Sequence, residues 1–256
     1  MPVKISTVHF TNRCDSCQHL GMVTRAVSPQ RVLKTAATAV APSREQYHHG
    51  DLPAALKRVA LTLISRHGAE GFSLRQAAMA VGVSPSAAYR HFEDKSALLG
   101  AIAADGFVEL GQRFEAAMRT VPGKGARAAR ARFFAQGRAY VMFAIEQPER
   151  FSVMFGPYDA GLPCIDPLAP SSAHDGPYGA LCAILDELLA TGAIRAERRE
   201  GAELLVWSSI HGLATLLTRR VIAASPEGVD AMVHRIGTDC LRALAAPPSG
   251  RKRRAT

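Results

Sequence analysis

Residues Ser73–Lys95 read SLRQAAMAVGVSPSAAYRHFEDK, and the fold turns on how this stretch is punctuated. Ser73 is placed to cap a helix, with Gln76 three residues on completing a capping box. Leu74, Ala77, Ala78 and Val81 recur at helical spacing and supply one apolar face. Gly82 follows the last of them, where a left-handed backbone favours glycine. Ser84 is placed to cap again, and Pro85 takes the first helical position, where its missing N–H costs nothing. The spacing predicts a second helix of about two turns, Pro85 to Phe92. Helix, glycine turn and helix together make a helix-turn-helix pattern.

The second helix carries the functional reading. Ala88 and Phe92, four apart, are expected to face inward. That leaves Pro85, Ser86, Ala87, Tyr89, Arg90 and His91 on the outside or the rim. Small residues at the helix start let the backbone approach a groove floor. Arg90 suits guanine O6 and N7, and Tyr89 and His91 suit phosphate oxygens. Ser73, Arg75, Ser84 and Lys95 complete the candidate DNA-binding set. The bland alternative is a helical hairpin with a solvated face. Two caps, a turn glycine and a Tyr-Arg-His cluster on so short a helix weigh against it.

From His49 to Ala101 the chain resembles the DNA-binding region of the TetR family of transcriptional repressors. The resemblance rests on Gly82-Val83-Ser84 at the turn, Tyr89-Arg90-His91-Phe92 after it, and Lys95 with Leu98 and Leu99 opening the next helix. It implies an all-α fold: a three-helix DNA-binding domain at 47–100, then a helical ligand-binding and dimerisation domain at 101–246. It also implies a homodimer on a palindromic operator in double-stranded DNA, pairing through the last two long helices, and release by a small-molecule effector. For Lys95 it implies a phosphate contact, which would explain a cation at the unfavourable end of a helix dipole.

The totals agree with this class. The 256 residues carry a formal net charge of +9, an excess that favours a polyanionic partner. Aromatic content of 6% argues against a stacking platform for single strands. Cys14, Cys17, Cys164, Cys182 and Cys240 are an odd, sparse set rather than a disulfide framework, and point to a reducing cytoplasm. No apolar run approaches the roughly 20 residues that span a bilayer, and Arg13, Cys14 and Asp15 interrupt any secretory signal.

Residues 1–46 lack periodicity and read as a flexible arm, whose Lys34 and Arg44 are candidates for the minor groove. Within it, Cys14 and Cys17 have the spacing of half a zinc site with no second pair nearby, and Met22 is an alternative start. Asp51 is expected to cap a scaffold helix striped by Leu52, Ala55, Leu56, Val59, Ala60, Leu63 and Ile64, closed by His67 and Gly68, while His48 and His49 read as a solvated pair. Asp94 is expected to cap a long helix through Met118, and Val121-Pro122-Gly123 to break it. Further helices are expected up to Ile145, over Glu149–Phe155, Tyr178–Leu189 and Glu200–Ala223, and from Pro226 to about Leu244. Residues 157–178 read as a loop, residues 247–256 as a basic tail with Arg251, Lys252, Arg253 and Arg254, and no strand is expected.

Trp207-Ser-Ser-Ile-His211-Gly212 resembles a C-terminal subtype of the same family. Trp207 and His211 share a helix face by spacing. One reading is a ligand-pocket wall with a polar handle. The other is a core Trp stacked on a hydrogen-bonded His, with Gly212 admitting a neighbouring helix. Tyr140, Phe143, Met154, Trp207 and His211 form the candidate ligand-binding set, and their apolar character suggests a hydrophobic effector. No cofactor, catalytic residue or metal ligand is expected. The rival readings are a thiol- or metal-dependent sensor or enzyme using Cys14 and Cys17, for which no base or oxyanion site accompanies the thiols in the sequence, and a membrane-coating helix, for which the helix after Asp51 has too few cations and an apolar stripe already committed to packing.

Overall fold

The computed structural model describes residues 51–156 and 175–245, all within one compact unit, His48–Thr256. The arm expected over 1–46, with Cys14, Cys17, Lys34 and Arg44, lies outside the described residues. So do His48, His49, positions 157–174 of the expected loop, and the basic tail with Arg251–Arg254. Among the described residues the regular structure is entirely helical, as the absence of any strand pattern predicted. None of these helices is long and apolar enough to cross a membrane.

Helix α1 spans Leu52–His67, and the Asp51 side chain accepts from Ala54 N–H at 3.3 Å. Its stripe buries Ala55, Leu56, Ala60 and Ile64. Helix α2, Leu74–Val81, starts on the predicted capping box: Ser73 Oγ accepts from Gln76 N–H, and Gln76 Oε1 accepts from Ser73 N–H at 2.7 Å. Gly82 ends it with φ 84, a left-handed value that a Cβ would oppose. Helix α3, Pro85–Tyr89, is capped by Ser84 Oγ at 3.3 Å from Ala87 N.

Helix α3 is shorter than its predicted span to Phe92. After Tyr89 the backbone tightens, and the N–H groups of His91 and Phe92 both turn back to Ala88 O, at 3.0 and 3.1 Å. The cause is the buried anchor at Phe92, 8% exposed, followed two residues later by Asp94, whose carboxylate caps the next helix from 2.8 Å. That next helix, α4, runs for 25 residues, Lys95–Arg119.

The remaining helices are α5 Ala126–Glu146, α6 Pro148–Met154, α7 Gly176–Ala190, α8 Ala202–Thr218 and α9 Pro226–Leu244, with a 3-10 turn at Ala196–Arg198 before α8. Two further boundaries depart from the sequence reading. Helix α7 begins inside the stretch expected to be loop, because Gly176 and Pro177 occupy a first turn, where proline loses no bond. Helix α8 stops at Thr218 rather than near Ala223. There Arg220 adopts φ 55, and Val221 N–H reaches back to Leu216 O at 3.0 Å, a Schellman closure with arginine in the position that glycine usually fills.

Helix α4 is the spine. Leu98, Leu99 and Ile102, each at most 1% exposed, share one buried cluster with Leu56 of α1 and with Leu110, Val141, Phe143 and Val153 further along. A second cluster joins Phe133 of α5 to Ile184, Leu185 and Leu188 of α7, Val206 of α8 and Leu241 of α9. Helix α6 leans on α4 at a glycine: a Cβ on Gly106 would fall 2.5 Å from Met154 Sδ. The same two helices are tied by charge, since Glu109 of α4 accepts from Arg150 of α6, from Gln147 at the α6 start and from Arg113.

Candidate functional site

The DNA-binding candidates sit on, or directly beside, α2 and α3 and at the start of α4. Ala88 is fully buried and anchors α3 from below, as its spacing predicted. Ser86, Tyr89, Arg90 and His91 are exposed, Tyr89 at 51%, and Pro85 and Ala87 are half-buried at the rim. Arg75 is exposed on α2, one helix away. Arg90 and His91 stand in the tight turn after α3 rather than on the helix itself. The hydroxyls of Ser73 and Ser84 are already engaged in their caps.

Lys95 has a protein explanation that the sequence did not disclose. Its Nζ donates to Ala69 O at 3.2 Å, lies 3.4 Å from Glu70 Oε2, and sits 5.7 Å from the centroid of the Phe72 ring. These contacts stabilise a cation at the N-terminal end of α4 without any phosphate. An ammonium has three donors, so one remains for an outside acceptor.

The second site is a ring-lined wall where α5, α6, α7 and α8 meet. Trp207 Nε1 donates to Tyr140 Oη at 3.3 Å, and Tyr140 Oη is 2.7 Å from His211 Nδ1. An indole N–H can only donate, so the tyrosine oxygen accepts there, and among the described residues its own proton has no acceptor other than His211 Nδ1. The imidazole then carries its own proton on Nε2, a donor. Around this relay, Phe151 stacks on His211 at 5.3 Å and Phe155 meets it edge-on at 4.7 Å. Tyr178 of α7 closes on Trp207 at 5.6 Å, and Phe107 of α4 abuts Phe155 at 5.5 Å.

Of the five ligand-binding candidates, Tyr140, Trp207 and His211 are bonded to one another, and Met154, buried at 6% exposure, lies on α6 beside Phe155. Phe143 stands apart. It is fully buried, with the Arg113 guanidinium 5.2 Å from its ring centroid. The expectation of a close helix at Gly212 does not hold among the described residues, where no atom of another element lies within 4 Å of the position its Cβ would take. Nor does Trp207 stack on His211: the two rings are 72° apart, and Phe151 is the stacking partner. The sequence reading passed over Phe151, Tyr178 and Gln136. Gln136 had a signal, being a polar residue four before Tyr140 on the same helical face.

Burial raises the Tyr140 hydroxyl well above its ordinary value, and burial lowers the His211 imidazole below its ordinary 6.5. Both groups are therefore neutral in the fold at neutral pH. For His211 the unfolded chain takes up the proton first on acidification, so its contribution to stability is complete above the ordinary value and is lost as pH falls below it. We expect a thermal midpoint that drops between about pH 7.5 and about pH 5, with a smaller drop in His211→Asn, whose amide oxygen replaces the Nδ1 acceptor. Equal slopes in the two proteins, followed by calorimetry, would show that His211 does not titrate on unfolding.

Comparison with known proteins now bears on this geometry. Residues 57–102 match the family described as bacterial regulatory proteins, tetR family, and residues 133–239 match the tetracyclin repressor-like C-terminal domain. No curated protein sequence matches the chain. Among solved structures, a protein of unknown function from Rhodococcus sp. RHA1 is 32% identical over 79% of this chain and 100% of its own, with a TM-score of 0.62. A bacterial regulatory protein in the tetR family from Rhodococcus RHA1 is 17% identical over 77% of this chain and 98% of its own, with a TM-score of 0.55. The TetR family transcriptional regulator PfmR from Thermus thermophilus is 20% identical over 75% of this chain and 99% of its own, with a TM-score of 0.53.

Proposed function

This chain belongs to the TetR family of bacterial regulatory proteins, and from that premise we propose that it is a homodimeric transcriptional repressor, released from a palindromic operator by a small hydrophobic effector. It acts in the cytoplasm by binding and not by catalysis. The observation that carries the reading is the doubly capped α2–α3 unit, which sinks Ala88 and Phe92 and leaves Arg75, Tyr89, Arg90 and His91 outward.

One such unit reads too few base pairs alone. A two-fold axis doubles the contact and sets the half-site spacing. Helix α8 supports pairing with a second copy: Leu204, Leu205 and Leu216 are 49, 39 and 43% exposed, and the open side of Gly212 lies between them. Release then runs from the ring-lined wall through α6, which carries Phe151 and ends at Phe155, to α4, against which Gly106 and Glu109 hold it. An effector shifts this equilibrium only by binding the DNA-free arrangement more tightly than the DNA-bound one.

The test uses the full chain and DNA fragments flanking its own gene. Sedimentation and fluorescence anisotropy should give two chains per retained site, half-sites about one helical turn apart, and affinity that falls steeply with salt. Retention by a single chain, or of no fragment at all, would overturn the proposal.

A further inference from the structure

Gln136 is 4% exposed on α5, and among the described residues neither its amide nitrogen nor its amide oxygen has a hydrogen-bond partner. Buried polar groups are nearly always satisfied, because leaving one bare forfeits the hydrogen bonds that water gave it. An amide with both ends bare is therefore an expensive thing to build into a bundle.

Its position gives it a use. Gln136 precedes Tyr140 by four residues, so the two share a face of α5 one turn apart. Phe133, one turn earlier, belongs to the buried cluster of Leu185 on α7 and Val206 on α8. Tyr140, one turn later, bonds to Trp207 and His211 of α8, and Tyr178 of α7 closes on Trp207. The register thus sets Gln136 between α7 and α8 at the edge of the ring-lined wall, next to the relay that leaves His211 Nε2 as a donor.

The charges of the packed helices are already committed. Arg199 bonds Asp186 and Glu203, Arg132 bonds Glu187, and Arg113 and Arg150 share Glu109. A carboxylate entering the wall would find no free counter-ion among them, and would lose its hydration for nothing.

Resting on the reading of the body as an effector-binding domain, we propose that Gln136 and His211 are the polar recognition groups of that site, and that the effector is an uncharged apolar molecule carrying a carboxamide-type group. Such a group meets all three needs at once. Its N–H donates to Gln136 Oε1, and its carbonyl accepts from Gln136 Nε2 and, on the second lone pair, from His211 Nε2–H. The apolar body lies against Phe151, Phe155 and Trp207.

Trp207 is the chain's only tryptophan, so its fluorescence reads the wall directly. The probes are decanamide, its carboxylate decanoate, and methyl nonyl ketone, which accepts but does not donate. Decanamide should bind roughly ten-fold or more tightly than either of the others, the size of one buried hydrogen bond. Gln136→Leu should remove the preference over the ketone, which rests on the N–H donated to Gln136 Oε1, while raising the thermal midpoint, since it deletes a bare buried amide. Gln136→Met serves the same purpose if the leucine packs poorly, with circular dichroism reporting the fold. Decanoate binding as tightly as decanamide, an amide preference over the ketone that survives both substitutions, or a Trp207 signal that no probe changes would each overturn the proposal. The same samples are assayed for DNA retention. Retention without amide binding removes this site alone, whereas amide binding without retention removes the repressor reading and leaves the site standing.

Discussion

Tyr89→Ala is expected to weaken operator binding by roughly a hundred- to ten-thousand-fold, because on the proposed repressor reading a hydrogen bond to a charged phosphate is lost once per protomer and therefore twice per operator. The ring is 51% exposed at the end of α3 and has no protein hydrogen bond among the described residues. The helix is anchored by Ala88 instead, so the variant should keep the wild-type thermal midpoint. A phosphate contact carries no sequence information, so the loss should be uniform across operator variants. Arg90→Ala differs in kind: if it reads guanine, it should relax discrimination at one base pair and flatten the salt dependence by little. Lys95→Ala is a poorer probe. Its ammonium holds the loop between α1 and α2 through Ala69 O, so a weakened complex would mix a lost phosphate contact with a loosened α4 start. Anisotropy over a salt series checks all three. Unaltered affinity in Tyr89→Ala would mean that the outward face of α3 does not lie on a duplex.

These predictions draw on features of very different legibility. The helix starts were readable because a cap is a local event: one side-chain oxygen at Asp51, Ser73, Ser84 or Asp94 satisfies an amide three residues later. The ends were less so. Helix α3 gives out at Tyr89 because Phe92 must reach a core built by other helices, which local spacing does not reveal. At α8 the stop falls on Arg220, a residue that does not announce a left-handed turn, and Val221 and Ile222 beyond it continued the apolar run. The wall was half legible. The four-residue spacing of Trp207 and His211 put them on one face, but the oxygen that joins them comes from Tyr140, on another helix and some seventy positions away. Lys95 teaches the same point from the other side. A cation at the wrong end of a dipole suggested an external phosphate, and the carbonyl of Ala69, the carboxylate of Glu70 and the ring of Phe72 met it from well upstream.

Phe143→Ala is expected to cost about 3–5 kcal/mol of stability, the range for emptying a fully buried aromatic site. Composition alone grouped Phe143 with Tyr140 and Trp207 as a ligand contact. The structure gives it different neighbours: no exposed surface, and the Arg113 guanidinium over its ring. That guanidinium also bonds Glu109 and Glu146, so the ring is the apolar floor under the charge cluster that links α4 to α6. Emptying the site should lower the urea midpoint with little change in the slope of the transition. Decanamide affinity, measured in conditions where the variant remains folded, should hold near the wild-type value, since the hydrogen-bonding wall of Gln136, Tyr140 and His211 is untouched. Trp207→Phe should behave in the opposite sense, sparing most of the stability of a half-buried site and disturbing the relay through Tyr140. If Phe143→Ala kept its urea midpoint and lost the amide instead, the ring would belong to the wall, and the division between core and recognition surface drawn along α5 would have to move by one helical turn.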